Sequence, residues 1–352
     1  MKKSNILQLI TGLGVGGAEK VVLELVKNSN NNFFNHYVIG LSKSAALNFK
    51  FKEAGIETII LNRDKSLTDF FGMVSYVNSF VKENKIDIIH AHMTHAMFVA
   101  IAVKLVNPHM KIVFTSHNVN VGSKLRESII FLLKPFRNAD IIFSRDQLDY
   151  KYIANHFVIP NGIDLSAYKQ NIDKFDVFTF LAVGSLGEQK NHMHLIKCAR
   201  SLKSNYKFQI LIAGDGPLRD ELERQIKLYE LQDYVKLLGL RSDIPELLNK
   251  AHCFVMPSLW EGMPIAILES GASNLPVIST PVGTIPSLID DTNGYLPVED
   301  DFCKVMEYVI NNYEEATVKA TVLYQKVIEE YSITNVVNEH EKLYTNIFQK
   351  KI

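Results

Sequence analysis

Glu261 and Glu269 are the residues whose type and spacing most clearly suggest chemistry. They lie eight positions apart in Trp260-Glu-Gly-Met-Pro-Ile-Ala-Ile-Leu-Glu269. The pattern predicts a strand at 252–256, a loop with Glu261, and a helix with Pro264 at its first position. The first N–H groups of a helix lack intrahelical partners and carry the positive end of the dipole, so they suit a phosphate. Carboxylates on both sides of such a start fit a ligand with hydroxyls flanking a diphosphate, as in a nucleotide sugar.

A glycine-rich stretch, Gly12-Leu-Gly14-Val-Gly16-Gly17, separates the first predicted strand from the first helix. It matches G-x-G-x-x-G, the dinucleotide fingerprint. That fingerprint needs an acidic residue at the end of the second strand, which here reads Gly40-Leu-Ser-Lys43. A nicotinamide or flavin is therefore disfavoured, and no cofactor is expected. Two interpretations remain: a loop whose backbone approaches an anion, or a tight strand-to-helix turn.

Two further turns follow predicted strands of the second half. In Val183-Gly-Ser-Leu-Gly-Glu-Gln-Lys190, the lysine could place a positive charge on a diphosphate and assist a phosphate leaving group. A single lysine after a turn is, however, often only solvent-exposed. Gly214-Asp-Gly-Pro217 lies at a strand's carboxyl end, where open α/β sheets bind ligands.

A histidine group comprises His90, His92 and His95 at one strand end and His117 at the next. Such spacing is compatible with zinc, but zinc needs a further partner, and none is obvious. No metal is expected, and the chain has no Asp-x-Asp motif. His117, in Phe114-Thr-Ser-His-Asn118, is the best candidate for contacting a reacting sugar, with a structural hydrogen-bonding role as the alternative.

Length and composition indicate an ordinary globular enzyme. At 352 residues the chain exceeds one usual core, which favours two domains. A hydrophobic content of 47% with 22% charged residues argues against disorder. No apolar run is long enough to span a bilayer, and the first residues lead directly into a strand, so we expect neither signal peptide nor anchor. Cys198, Cys253 and Cys303 lack metal or redox spacing and fit buried thiols of a reducing cytoplasm.

The net charge of zero conceals an asymmetry. Residues 1–160 hold 19 Lys and Arg against 12 Asp and Glu, which leaves 19 against 26 for residues 161–352. A basic first half could meet an anionic acceptor or membrane leaflet. The alternative is an uneven distribution of solvated helix faces without function.

Short continuous apolar runs alternate with helical patterns, which predicts parallel strands covered on both faces. The runs are 5–10, 37–41, 58–61, 86–90, 112–116, 140–144, 178–183, 208–213, 235–237, 253–256 and 276–279. Turn residues at 159–164 and a polar stretch at 169–176 divide the series. We predict two doubly wound α/β domains, 1–165 and 166–334, with a helix at about 335–352 packing back on the first.

Five motifs in order resemble the retaining glycosyltransferases of family 4. They are Gly-Gly-Ala-Glu at 16–19, Ser-His-Asn at 116–118, Pro-Asn-Gly-Ile-Asp at 160–164, Gly-Asp-Gly-Pro at 214–217 and Glu-x7-Glu at 261–269. The resemblance covers roughly residues 5–300. It implies the GT-B fold, two facing Rossmann-like domains with a cleft between them, with the acceptor on the N-terminal domain, the donor on the C-terminal domain, and no metal.

The resemblance also implies residue roles. Glu261 would contact the donor sugar, Glu269 the ribose, and Lys190 the diphosphate. The other implied contacts are the backbone of Met263, Pro264, Ile265 and Ala266 at the diphosphate and sugar, Gly16 and Gly17 closing over the diphosphate, His117 beside the sugar, and Gly214, Leu240 and Arg241 bordering the base. The implied chemistry is front-face displacement with retention and no protein nucleophile.

Two positions depart from the family pattern. Ser185 stands where relatives often have arginine, and Ser287 where a glutamate is common. The diphosphate would then rely on Lys190 or on another cation such as Arg126.

The expected function is a cytoplasmic, hexosyltransferase-type enzyme, in possible peripheral contact with the inner face of the cell membrane. It would move a sugar from a nucleotide diphosphate donor, UDP favoured, to a saccharide acceptor, lipid-linked in cell-surface polysaccharide assembly. No nucleic-acid partner is expected. Two alternatives stay open: a nucleotide-sugar 2-epimerase on the same scaffold, and a non-catalytic sugar-binding partner.

Overall fold

The chain forms two compact units in the computed structural model, which describes residues 3–14, 16–64, 66–117, 124–145, 155–168 and 172–349. Unit 1 comprises Met1–Gly162 and Ile333–Ile352, and unit 2 comprises Ile163–Ser332. Asn118 of the Ser-His-Asn motif lies outside the described residues.

Unit 1 is built on a seven-stranded parallel sheet of order β3-β2-β1-β4-β5-β6-β7. The strand order reverses between β1 and β4, so the loops after these two strands border the sheet's switch point. Its strands are β1 (Ser4–Ile10), β2 (Phe34–Gly40), β3 (Thr58–Ile60), β4 (Ile88–His92), β5 (Lys111–Thr115), β6 (Ala139–Ile142) and β7 (His156–Val158). The described helices are α1 (Gly17–Asn28), α2 (Asn48–Glu53), α3 (Leu67–Glu83), α4 (Met93–Val106), α5 (Lys124–Leu132) and α13 (Ile333–Gln349).

Unit 2 repeats the plan with a five-stranded parallel sheet of order β10-β9-β8-β11-β12, whose switch point lies between β8 and β11. Its strands are β8 (Phe178–Val183), β9 (Phe208–Ala213), β10 (Val235–Gly239), β11 (Cys253–Met256) and β12 (Val277–Ser279). The helices are α6 (His192–Leu202), α7 (Arg219–Leu228), α8 (Ile244–Lys250), α9 (Ile265–Ala272), α10 (Ile285–Leu288), α11 (Phe302–Asn311) and α12 (Tyr313–Tyr331). The predicted fold class, two doubly wound α/β units, is confirmed.

The C-terminal helix α13 belongs to the core of unit 1. Its buried side chains recur at helical spacing and face the strands: Val336, Leu343, Tyr344 and Ile347 pack with Ile6, Ile88, Val113 and Ile141. Burying each such side chain contributes about 1.5–3 kcal/mol. The last helix of the chain therefore forms one face of the first sheet.

The prediction of three free thiols is wrong for two of them. Cys198 on α6 and Cys303 on α11 form a disulfide, with Cα atoms 4.9 Å apart, whereas Cys253 is free and buried. The pair is separated by 105 residues and meets because the two helices pack side by side. Linear spacing carries no sign of such a contact.

Candidate functional site

Two loops of unit 2 meet at its switch point, where open α/β sheets bind ligands. One follows β8 and ends at Lys190; the other follows β11 and carries Glu261. Gln189 joins them, because its Nε2 donates to the Trp260 carbonyl oxygen at 2.9 Å and its own carbonyl accepts from the Leu259 N–H at 2.8 Å. The turn with the lysine is thus fixed against the loop with the glutamate.

Lys190 and Glu261 form an ion pair at this junction. Lys190 Nζ lies 2.5 Å from Glu261 Oε1, and both side chains are largely removed from solvent. A charge held in a low-dielectric site acts on a ligand more strongly than one in water. The arrangement offers a fixed cation for an anionic ligand and a second carboxylate oxygen for a hydroxyl.

The helix that follows, α9, begins beside Glu261. It starts at Ile265, so Pro264 is its N-cap with extended backbone (φ −73°, ψ 115°) rather than its first residue, which corrects the predicted position by one. Met263 and Pro264 are buried, and Ile265 and Ala266 are partly buried. The first amides of α9 lack intrahelical partners and carry the positive dipole end, so they can hold an anion.

Glu269, on α9, is buried and has a different partner. The Tyr168 hydroxyl donates to Glu269 Oε1 at 2.7 Å. The two carboxylates therefore sit in unlike surroundings, one beside a cation and one beside a neutral hydroxyl. Tyr168 was not predicted, because it lies 101 residues away in the chain and in no recognisable motif.

Two glycines fix the backbone around these groups. Gly214 has φ +152°, and a Cβ there would overlap the Gly184 carbonyl oxygen. Gly283 has φ +61°, and a Cβ there would overlap the Glu261 carbonyl oxygen. Side chains at such φ values are strained even in open space, so both positions require glycine.

Replacing Gly283 with alanine should displace the Glu261 loop. We expect a loss of roughly 1–3 kcal/mol in the free energy of unfolding, from the strained φ alone, with a larger loss where the overlap cannot relax. Urea unfolding followed by the fluorescence of Trp260, the single tryptophan, measures this. Gly187→Ala is the matched control, since its φ is −129° and a Cβ there meets only Ser185 Oγ, at 3.9 Å. Equal unfolding free energies of the two variants would refute the close approach of residue 283 to the Glu261 carbonyl oxygen.

The residues predicted to border a base follow β10. Gly239 forms a bridge with Gly214, which places the end of β10 beside the glycine turn. Leu240 is 64% exposed. Arg241 forms a bidentate pair with Asp243, Nε to Oδ1 at 2.8 Å and Nη2 to Oδ2 at 2.5 Å. The structure thus groups Gly214 and Leu240 at one edge, with Arg241 already bound to a carboxylate.

In unit 1, the glycine-rich loop leads into α1. Gly16 is the N-cap and Gly17 the first helical residue. The backbone N–H groups of Gly14 and Glu19 donate hydrogen bonds to the Glu19 carboxyl group. Burial raises the pKa of this carboxyl. This helix start therefore already holds an acidic group of the chain itself, a contact that the glycine pattern did not reveal.

The histidine group lies mostly inside unit 1, where it is hydrogen-bonded. His90 Nδ1 lies 2.7 Å from the Tyr344 hydroxyl, and its Nε2 lies 2.7 Å from Thr115 Oγ1. His92 Nδ1 lies 3.0 Å from His117 Nε2. His95 lies in the first turn of α4. The ring nitrogens of His90 and His92 are thus taken up by hydrogen bonds within unit 1.

Burial sets the charge of these rings. It lowers the pKa of His117 to about 3 and the pKa values of His90 and His92 well below their ordinary value. These histidines are neutral at pH 7. His117 can then serve as a neutral hydrogen-bonding group at the end of the sheet.

Known protein families match both units. A model of Glycosyltransferase Family 4 matches residues 15–167, and a model of Glycosyl transferases group 1 matches residues 167–319. An uncharacterized glycosyltransferase of Methanocaldococcus jannaschii is 32% identical over 240 residues, which is 58% of each chain. The aligned region thus spans little more than half of that relative.

Several relatives have a stated reaction, and several solved structures share the fold. The UDP-Gal:alpha-D-GlcNAc-diphosphoundecaprenol alpha-1,3-galactosyltransferase of Escherichia coli is 27% identical over 303 residues, 77% of this chain and 78% of its own. The crystal structure of Anabaena HepE in complex with UDP and glucose superposes with a TM-score of 0.86 at 18% identity, covering 97% of this chain and all of that one. The chain belongs to the family 4 glycosyltransferases and has the GT-B fold.

Proposed function

We propose that this chain is a retaining, metal-independent glycosyltransferase that moves a sugar from a UDP-sugar to a lipid-linked saccharide in cell-surface polysaccharide assembly. The observation that carries the proposal is the Lys190–Glu261 ion pair beside the start of α9. A cation and the first helix amides suit the charged non-bridging oxygens of a diphosphate. The second carboxylate oxygen of Glu261 suits the hydroxyls of the donor sugar.

Donor binding falls to unit 2. Lys190 neutralises the diphosphate, assisted by the backbone of Met263, Pro264, Ile265 and Ala266, while Glu261 accepts from sugar hydroxyls. Glu269 accepts from the ribose, with Tyr168 holding one of its oxygens. Gly214, Leu240 and Arg241 border the base. In unit 1, His117 is the proposed contact for a sugar, and Gly16 and Gly17 are the proposed contacts for a diphosphate.

The surroundings of the two carboxylates support a mechanism without a protein nucleophile. Glu261 Oε1 is paired with Lys190, and Glu269 Oε1 accepts from Tyr168, so both carboxylates are held as hydroxyl-binding groups. The departing diphosphate can deprotonate the acceptor on the face that it leaves, which retains the configuration at the sugar carbon. Lys190 supplies positive charge where negative charge develops, the role that metal ions have in other transferases.

A membrane-bound acceptor fits the surface of unit 1. Helix α5 exposes Leu125 (73%) and Leu132 (69%) next to Lys124 and Arg126. Exposed apolar and basic side chains on one helix are typical of segments that lie on anionic bilayers. The E. coli relative acts on a diphosphoundecaprenol-linked sugar. Among the described residues, no helix has the length and apolarity to cross a bilayer.

The membrane contact predicts a specific loss of binding. Leu125→Asp with Leu132→Asp should reduce co-flotation with phosphatidylglycerol vesicles by about tenfold or more, since each change removes apolar contact and adds repulsion. Val318→Asp with Val322→Asp is the matched control, because these two residues are 66% and 43% exposed on α12 of unit 2. Equal flotation of the two variants would argue against α5 as the contact.

The reaction is tested with the purified protein. A panel of UDP-sugars and a synthetic polyprenyl-diphosphate saccharide are incubated with excess EDTA, and the product is analysed by NMR. We expect a new glycosidic bond with the donor's anomeric configuration. An inverted product, or loss of turnover in EDTA, would contradict the mechanism; an epimerised sugar formed without acceptor would instead identify a 2-epimerase.

A further inference from the structure

A continuous chain of hydrogen bonds runs through unit 1 from the surface to His117. We name it the histidine relay, and its members, in order, are Glu341, Ser29, His36, Gln8, His92 and His117. Its first residue is on the C-terminal helix α13, and the chain crosses β2, β1 and β4. At each hydrogen bond one partner must carry the proton, and the group that donates in one bond determines which atom donates in the next.

The direction is set at the carboxylate end. Glu341 Oε1 accepts from the Asn30 N–H at 2.6 Å and from Ser29 Oγ at 2.7 Å. Because a carboxylate only accepts, the single hydroxyl proton of Ser29 points to Glu341. Ser29 Oγ is therefore the acceptor for His36 Nε2, 2.9 Å away, and that nitrogen carries the proton.

The next choice orients the amide of Gln8. Burial lowers the pKa of His36 to about 3, so the ring is neutral and its Nδ1 has a lone pair. That lone pair must accept from Gln8 Nε2 at 3.1 Å. The amide oxygen then faces His92 Nε2, at 2.7 Å, and this nitrogen is protonated. With the amide reversed, its oxygen would meet the His36 lone pair, an arrangement without a hydrogen bond.

A side branch is compatible with this orientation. Gln8 Nε2 also donates to the Tyr344 hydroxyl at 3.3 Å. Tyr344 can then donate to His90 Nδ1, whose Nε2 donates to Thr115 Oγ1, both at 2.7 Å. One orientation of one amide thus satisfies both branches, and buried polar groups are normally satisfied.

We infer that the relay holds His117 as its Nε2–H tautomer, donating to His92 Nδ1, so that His117 Nδ1 accepts a hydrogen bond from a substrate hydroxyl. This role in substrate binding rests on the proposed function. Gln8 is the positioning residue: it touches no reacting atom, but it transmits the proton order set at Glu341. A substrate group that only accepts hydrogen bonds is disfavoured at His117, which gives the site a preference for hydroxyl-bearing sugars.

The tautomers are directly measurable in the intact protein. Long-range ¹H–¹⁵N NMR of the ¹⁵N-histidine-labelled chain at pH 7.5 separates protonated from unprotonated ring nitrogens, and His117→Asn identifies the His117 signals. We expect His117 protonated at Nε2 and not at Nδ1. A wild-type protein with the proton on Nδ1 would overturn the inference.

Variants at Gln8 test the transmission. Gln8→Met removes the hydrogen bonds of residue 8 to His36 and His92, so the NMR signals of His117 should become those of a mixture of its two tautomers. The value of kcat should fall roughly ten- to a hundredfold for one misplaced hydrogen bond. Gln8→Glu keeps an acceptor for His92, so His117 should stay unchanged while His36 becomes protonated at Nδ1. Thr115→Val breaks only the side branch and is the control that keeps the His117 tautomer.

The outcomes separate the relay from the proposed function. Unchanged His117 signals and unchanged kcat in Gln8→Met would refute the positioning role. The expected tautomer in a wild-type protein that transfers no sugar would support the relay and refute the transferase reaction.

Discussion

Neutralising Lys190 or Glu261 is expected to lower kcat/KM for sugar transfer by about a hundred- to a thousandfold, or roughly 2.7–4 kcal/mol, the scale of losing one electrostatic contact to a transition state. Lys190→Met and Glu261→Gln remove the charges with little change of shape. Each single variant also leaves its partner partly buried and unpaired, which costs about 3–5 kcal/mol of unfolding free energy in buried pairs.

The double variant separates catalysis from stability. Removing both charges should restore much of the unfolding free energy, because no buried charge is left uncompensated. Activity should not recover, since both donor contacts are gone. If turnover recovered together with stability, the ion pair would only stabilise the fold, and the assignment of Lys190 and Glu261 to the donor site would be refuted.

A second ion pair in the same unit provides the control. Lys250 Nζ lies 2.6 Å from Glu246 Oε1 on α8, and both side chains are about a third or more exposed. Exposed pairs contribute about 0–1 kcal/mol. Lys250→Met and Glu246→Gln should therefore leave both stability and kcat/KM nearly unchanged, with urea unfolding and product formation measured in parallel.

The sequence predicted the candidate site best where reactive side chains directly follow predicted strands. Lys190 and Glu261 are 71 residues apart, yet continuous apolar runs located β8 and β11, and neighbouring parallel strands end at one sheet edge. The contact between these two residues follows from strand order. The short edge strand β7 was not predicted, because His156, Phe157 and Val158 are partly or largely exposed and lack the buried pattern.

Contacts that depend on register or on helix packing were not readable from the sequence. His90 and His92 share one strand face because strand side chains alternate, but only the register of β1 beside β4 brings Gln8 opposite His90. The spacing of these histidines is compatible with zinc, although no metal was expected, and it gave no sign of the hydrogen-bonded relay that the structure shows. Tyr168 on Glu269 and the Cys198–Cys303 disulfide likewise arise from tertiary packing.

Mild acid should unfold unit 1 before unit 2. Burial lowers the pKa of His36 and His117 to about 3 and that of His340 to about 4, against an ordinary value near 6.5. Because the unfolded chain binds these protons first, stability is complete above pH 6.5 and falls as pH drops toward the folded pKa values. At pH 5 each such histidine costs about 2 kcal/mol, and domains have only about 5–15 kcal/mol in total.

Amide hydrogen exchange resolves the two units. Between pH 7.5 and pH 5, protection in β1, β4 and α13 should be lost earlier than protection in β8 and β9. Among the described residues, burial lowers the pKa of five histidines in unit 1. In unit 2 it lowers the pKa of three, namely His192 (to about 4), His194 and His252. Trp260 fluorescence reports unit 2 in the same samples.

A single substitution tests the cause. His340 Nδ1 donates to the Val336 carbonyl oxygen at 2.9 Å, a bond that a glutamine amide can replace without titrating. His340→Gln should therefore reduce the loss of unit 1 stability between pH 7.5 and pH 5 by about 2 kcal/mol. If the variant keeps the full pH dependence, the buried neutral imidazole of His340 is not a source of the acid sensitivity, and the titrating groups must lie elsewhere in unit 1.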